Sequence, residues 1–144
     1  MAEELSLAVY LSDNEVGRLR VDPQQQLRFE YTEDWRQSGF PLAPSVPLSP
    51  PARQKGEWLS AAAMYFQNLL PEGQALEDVS RSLQISKASV FGLLRAMGSE
   101  ASGAVRLLAP DRPMPTDKLR PVPRDELSAR IRDRQDVLLI CTQC

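Results

Sequence analysis

An α+β fold, with a small antiparallel β-sheet or partly closed barrel packed against three to four short helices, is what this sequence predicts. Three observations carry that reading. Residues 5–31 alternate apolar and polar side chains through three runs separated by turn formers. The apolar spacing then shifts to a helical period between residues 57 and 97, and an alternating run returns at 103–108. At 144 residues and 42% hydrophobic content, the chain is long enough for one domain that buries roughly two-thirds of its unfolded surface. The expected organisation is a domain over 1–109, a proline-rich linker over 110–123, and a short helix with an apolar tail over 124–144.

Leu5, Leu7, Val9 and Leu11 alternate with Ser6, Ala8 and Tyr10, the period of a strand with one face in a core. Ser12-Asp13-Asn14 supplies a turn. Val16, Leu19 and Val21 then mark a second strand in which Gly17 interrupts the alternation, and a glycine at such a place predicts a bulge or a close backbone approach. Asp22-Pro23 opens the next turn, and Leu27, Phe29 and Tyr31 alternate with Arg28 and Glu30 in a third strand. Five prolines from Pro41 to Pro51 exclude a helix or a central strand, leaving an extended covering loop from which Val46 and Leu48 tuck inward.

A first helix is predicted from Glu57 to Leu70. Leu59, Ala62, Ala63, Phe66, Leu69 and Leu70 form its buried stripe, and Pro71 stops it. A second runs from Gln74 to Leu83 on Leu76, Val79 and Leu83. Ser86 is expected to cap a third, with Val90, Phe91, Leu94 and Met97 inward and Gly98 at its end. Short helices need a partner surface, and the meander offers one. Residues 103–108 return as a strand with Arg106 on a wet face. Pro110, Pro113, Pro115, Pro121 and Pro123 then prevent regular structure. Beyond them, 124–134 can form a helix anchored by Leu127 and Ile131, and Val137-Leu138-Leu139-Ile140 makes an apolar run.

Lys and Arg number 17 against 19 Asp and Glu, so the net charge of −2 gives no general attraction to phosphate backbones, and direct nucleic-acid binding is not expected. No apolar run approaches the ~20 residues needed to span a bilayer, and Met1-Ala2-Glu3-Glu4 is acidic where a signal peptide is basic. A cytoplasmic protein without membrane contact is expected. Histidine is absent, which removes the commonest general base, the commonest metal ligand and the usual partner of a Ser or Cys nucleophile. An enzyme is therefore not expected, and no catalytic, cofactor-binding or metal-binding residue is assigned. Cys141 and Cys144 form a C-x-x-C, but zinc takes about four ligands and a redox pair belongs near a strand-to-helix turn.

The candidate partner-binding residues are Trp58, Arg53, Lys55, Asn68 and Glu72. Trp58 opens a helix directly after the basic loop Arg53-Gln54-Lys55-Gly56, either as an interface anchor or as a staple packing the helix start on the sheet. Trp35 is read as core packing. Arg53 and Lys55 suit an acidic or phosphorylated patch, or are simply solvated. Asn68 and Glu72 flank the proline stop, where capping or partner contact is their use; no second acid accompanies them for acid–base work.

Tyr65-Phe66-Gln67-Asn68-Leu69-Leu70-Pro71-Glu72-Gly73 resembles the FFxNLLPEG segment in the N-terminal subdomain of HipA-like toxin kinases. Other pieces resemble that subdomain in the right order. Leu7-Ala8-Val9-Tyr10-Leu11, Val16-Gly17-Arg18-Leu19 and Leu27-Arg28-Phe29-Glu30-Tyr31 come first. Residues 42–48 follow in place of the family's SLSLPL, with Ala43-Pro44 for its Ser-Leu pair. Phe91-Gly92-Leu93-Leu94-Arg95-Ala96-Met97-Gly98 and Gly103-Ala104-Val105 then match its FxLLxxIGxDxxGA run, with Glu100 at the usual Asp. The resemblance covers residues 5–108.

A HipA-like kinase continues with a phosphate-binding loop, a catalytic Asp and magnesium-holding residues, the parts that phosphoryl transfer needs. None fits in the 36 residues after Leu108, and the chain has no glycine-rich phosphate loop. The resemblance therefore implies a role like that of HipS, the free-standing subdomain of three-component toxin–antitoxin systems. Such a protein binds a HipT-like Ser/Thr kinase, holds it inactive, and meets a HipB-like DNA-binding protein through the complex. The alternative is the N-terminal part of a longer HipA-like Ser/Thr kinase toxin, without activity of its own. A small enzyme is the reading with least support.

Overall fold

The computed structural model describes residues 5–50, 52–100, 104–114 and 121–132. Met1-Ala2-Glu3-Glu4, Pro51, Gly103, Pro115, the apolar run at 137–140 and the Cys141/Cys144 pair lie outside them. The chain divides into two compact units, Met1–Pro113 and Met114–Cys144.

In the first unit, β1 (Ser6–Leu11), β2 (Asn14–Val21) and β3 (Leu27–Tyr31) make a meander, and β4 (Val105–Leu108) pairs with the far side of β1. The strand order is β3-β2-β1-β4, every pair is antiparallel, and the sheet stays open. Alternation places Leu7, Val9, Leu19, Phe29, Tyr31, Val105 and Leu107 on one face, where all are buried. Gly17 does both things expected of it. The β1–β2 register shifts beside it, with Val9 opposite Gly17 but Tyr10 opposite Glu15. A Cβ at Gly17 would also lie 2.4 Å from the Glu30 carbonyl oxygen and 2.5 Å from Phe29 Cε2.

The β2–β3 turn is tied by one carboxylate. Asp22 accepts from the backbone N–H groups of Gln24 (3.0 Å) and Gln26 (2.9 Å) and from Arg28 Nε (2.8 Å). The Gln26 hydrogen bond, aided by Arg28, holds the Asp22 carboxyl below its ordinary value.

After β3 the chain forms a short helix absent from the sequence-based expectation, α1 (Glu33–Ser38). Thr32 Oγ caps it by accepting from Trp35 N at 3.3 Å. Trp35 is half-buried, packs on the core, and donates from Nε1 to the Phe40 carbonyl at 2.9 Å. The proline-rich loop that follows is pinned from two sides. Tyr31 OH donates to the Val46 carbonyl (2.6 Å) and accepts from Leu42 N (3.0 Å), while Trp58 Nε1 donates to the Pro47 carbonyl (2.9 Å). Val46 is fully buried and Leu48 half-buried, so both tuck inward.

A 3-10 turn (Ala52–Gln54) leads into α2 (Lys55–Gln67), which starts two residues before the expected Glu57 and stops three before Leu70. The stop is set by Pro71, which disfavours helical dihedrals at Leu70. Leu69 N and Leu70 N accordingly bond three residues back, to Phe66 and Gln67. The buried residues are Trp58, Ala62, Phe66 and Leu70, whereas Leu59, Ala63 and Leu69 are only half-buried, so the expected stripe is rotated toward Trp58.

Next come α3 (Gly73–Leu83), with Val79 buried and Leu76 and Leu83 packed at the core margin, and α4 (Val90–Met97). The cap of α4 is Ser89 and not Ser86. The first helical bond runs from Leu93 N to the Ser89 carbonyl, while Ser86 shapes the preceding turn by accepting from Ala88 N on its hydroxyl and Ser89 N on its carbonyl. Leu93 joins Leu94 as fully buried, and Val90, Phe91 and Met97 are half-buried. Gly98 lets the following turn press on β4, since a Cβ there would sit 2.6 Å from Leu107 Cβ.

The core centres on Phe29, whose ring lies 4.8 Å from Tyr31, 4.9 Å from Phe66 and 6.3 Å from Trp58. In the second unit, α5 (Arg124–Arg132) carries Asp125 and Glu126 in its first turn, where they suit the helix dipole, and exposes Leu127 and Ile131. No helix among the described residues is long and apolar enough to cross a membrane.

Candidate partner-binding site

Three of the five sequence-derived candidates come together where α2 begins. Arg53 sits on the 3-10 turn and Lys55 opens the helix. Both are exposed and neither makes an ion pair among the described residues. One turn on, Trp58 points the other way. It is 8% exposed, stacks over Phe29 at 22° between planes, lies 6.4 Å from Tyr31, and bonds to the loop through Nε1. That geometry fits the staple reading, and what Trp58 offers outward lines a cleft of about 290 Å³ shared with Lys55, Arg36, Glu30 and Leu59. Arg36 reaches Glu33 at 3.9 Å, a loose surface pair.

Asn68 and Glu72 are not part of this cluster. They follow the C-terminal end of α2, separated from Lys55 by a 13-residue helix that is ~20 Å long. Asn68 is the C-cap, its N–H reaching the Met64 carbonyl at 3.0 Å, and Glu72 stands at the N-cap of α3 without a side-chain capping bond. Both are exposed.

The structure adds residues that the sequence assigns only to helix stripes and strands. Leu59 and Ala63 of α2, Val90 and Phe91 of α4, and Val21 and Leu27 of the hairpin are all half-buried around a larger cleft of about 570 Å³. The signal was present as helical spacing, but nothing in a single sequence says which side of the stripe another element covers. Two tyrosines stand in or beside the core. Burial raises the Tyr31 hydroxyl above its ordinary value against the lowering effect of the Leu42 N–H, and burial alone raises Tyr65.

The family model of the HipA N-terminal domain matches residues 7–108. The chain is 35% identical over 133 residues to the serine/threonine-protein kinase toxin HipA of Shewanella oneidensis, an alignment covering 92% of this chain and 30% of that protein. Its fold matches a chain in the solved complex of the Shewanella oneidensis MR-1 toxin–antitoxin system HipA, HipB and operator DNA. The TM-score is 0.67 at 35% identity, covering 88% of this chain and 29% of that one. The chain thus spans about 30% of the length of the curated relative it matches. The similarity is to the N-terminal region of the kinase toxin and not to its catalytic domain. The sequence order, the open four-stranded sheet and these matches agree: the chain belongs to the HipA N-terminal domain family.

Proposed function

We propose that this chain is an antitoxin-type binding module that docks on a HipT-like Ser/Thr kinase, holds it inactive, and joins a HipB-like DNA-binding protein through that kinase. It works in the cytoplasm, without catalysis of its own and without direct contact to nucleic acid or membrane. The domain over 1–109 does the binding, and 110–123 links it to 124–144. In this reading Arg53 and Lys55 meet acidic or phosphorylated groups of the kinase, Trp58 supports the helix start that presents them, and Asn68 and Glu72 contribute at the far end of α2. The observation that carries the reading is the match of a whole fold, residues 7–108, to the non-catalytic region of a kinase toxin.

The alignment with the kinase toxin spans 133 residues, more than the family match alone, and this favours a second reading. Under it the chain is the N-terminal part of a longer HipA-like kinase and packs on that kinase in cis. Mixing the chain with the Shewanella oneidensis kinase body, produced without the region matched here, separates the two. Co-elution with loss of phosphoryl transfer supports an antitoxin acting in trans. Absence of any interaction at high concentration removes that role.

A further inference from the structure

Strand β3 is an edge of the sheet, paired on one side only, with β2. The parity of that ladder is fixed at both ends: Thr32 N donates to the Val16 carbonyl at 2.9 Å, and Asp22 N to the Gln26 carbonyl at 3.0 Å. In the register that joins them, Arg28 and Glu30 exchange backbone bonds with Arg20 and Arg18. Alternation then turns the N–H and C=O of Phe29 away from β2. Phe29 is 1% exposed, yet neither of these groups has a hydrogen-bond partner among the described residues. Buried backbone groups are costly to leave unpaired.

The smaller cleft, of about 290 Å³, lies on that side. It is lined by both Phe29 and Glu30, whose side chains point to opposite faces of the sheet, so it opens over the strand's edge. Pro50, Lys55, Trp58 and Arg36 line it beyond the edge. Of these, Pro50 has no N–H to give, and Trp58 Nε1 is already spent on the Pro47 carbonyl. Lys55 makes no ion pair among the described residues, and Arg36 reaches Glu33 only at 3.9 Å. Glu30 is the one carboxylate of the lining. Two cations against one carboxylate suit an acidic side chain beside the paired backbone.

We propose that the free edge of β3 pairs, through Phe29 N–H and C=O, with an extended acidic segment of the HipA-type kinase body, whose carboxylate meets Lys55 and Arg36. The proposal rests on the kinase-binding function above. Main-chain bonds supply the contact, and the cations select the side chain beside it. Arg36, carried on α1, thereby joins a site with Lys55 that their separation in sequence conceals.

The test follows amide hydrogen exchange residue by residue in the full chain, alone and with excess Shewanella oneidensis kinase body lacking the matched region. In the free chain the Arg28 and Glu30 amides, bonded to β2, are expected to exchange more slowly than that of Phe29. With the kinase body present, the Phe29 amide is expected to slow by about tenfold or more while those two change little. Arg36→Glu, at an exposed position, should keep cooperative melting and weaken binding about tenfold. If the parent does not bind the kinase body, the function and this proposal fail together. If it binds and the Phe29 amide exchanges as in the free chain, the function stands and the edge pairing is overturned. A Phe29 amide already as protected as its two neighbours in the free chain overturns the pairing too, because its groups are then satisfied inside the fold. So does protection that grows with chain concentration in the absence of kinase, since the occupant is then a second copy. Folded Arg36→Glu that binds like the parent overturns the acidic segment.

Discussion

Trp58→Ala should cost this domain stability before it costs it a partner. The indole is 8% exposed, stacks on Phe29 at 6.3 Å and anchors the proline-rich loop through a 2.9 Å bond to the Pro47 carbonyl. Removing a buried Trp side chain typically costs ~3–5 kcal/mol, and the abandoned carbonyl adds to that unless water reaches it. For a unit of this size each kcal/mol lowers Tm by about 4 °C or more, so a fall of about 15 °C is expected. Trp58→Phe keeps most of the packing and isolates the hydrogen bond, at about 1 kcal/mol. The assay is thermal unfolding by circular dichroism, with kinase affinity measured on the same samples well below their Tm. A Trp58→Ala variant that melts with the parent but has lost its partner would refute the staple and restore Trp58 as an interface anchor.

Tyr31→Phe removes a hydroxyl that donates to Val46 and accepts from Leu42, leaving two loop groups unpaired; a loss of about 1–3 kcal/mol in chemical denaturation is expected, and an unchanged midpoint contradicts it. Gly17→Ala should abolish cooperative folding or cost several kcal/mol, because the clash at 2.4 Å is with backbone of the neighbouring strand, which has no rotamer to give; wild-type melting would refute it. Alkaline pH should destabilise the domain. The hydroxyls of Tyr31 and Tyr65 are raised above 10.0 in the fold, so their contribution is fully present below that unfolded value and is lost as pH rises toward the folded values. Denaturation midpoints flat from about pH 9 through the alkaline limb contradict this.

The meander was legible because strand alternation is local: Leu7, Val9, Leu19, Phe29 and Tyr31 declare their face without knowledge of the helices, and Gly17 declared its bulge. Pro71 likewise marked where α2 ends to within a turn. Helix α1 was not legible, since it has six residues and buries none of them, leaving no apolar period; the only cue was Thr32 ahead of Glu33 and Asp34. The cap of α4 was misplaced because Ser86 and Ser89 are both competent, and the tertiary seat of Leu93 decides between them. Arg53, Lys55 and Trp58 were grouped because they are neighbours in sequence. The smaller cleft depends on where β3, α1 and the proline-rich loop meet the start of α2, and the larger on where α4 and the β2–β3 hairpin meet it, long-range facts that periodicity does not encode.

Isothermal titration of the chain into the kinase body of the Shewanella oneidensis toxin, freed of the region matched here, with phosphoryl transfer followed in parallel, tests the central claim most directly. Saturable one-to-one binding with loss of kinase activity is the predicted result. A kinase body whose heat signal and activity are both unchanged by excess chain contradicts it.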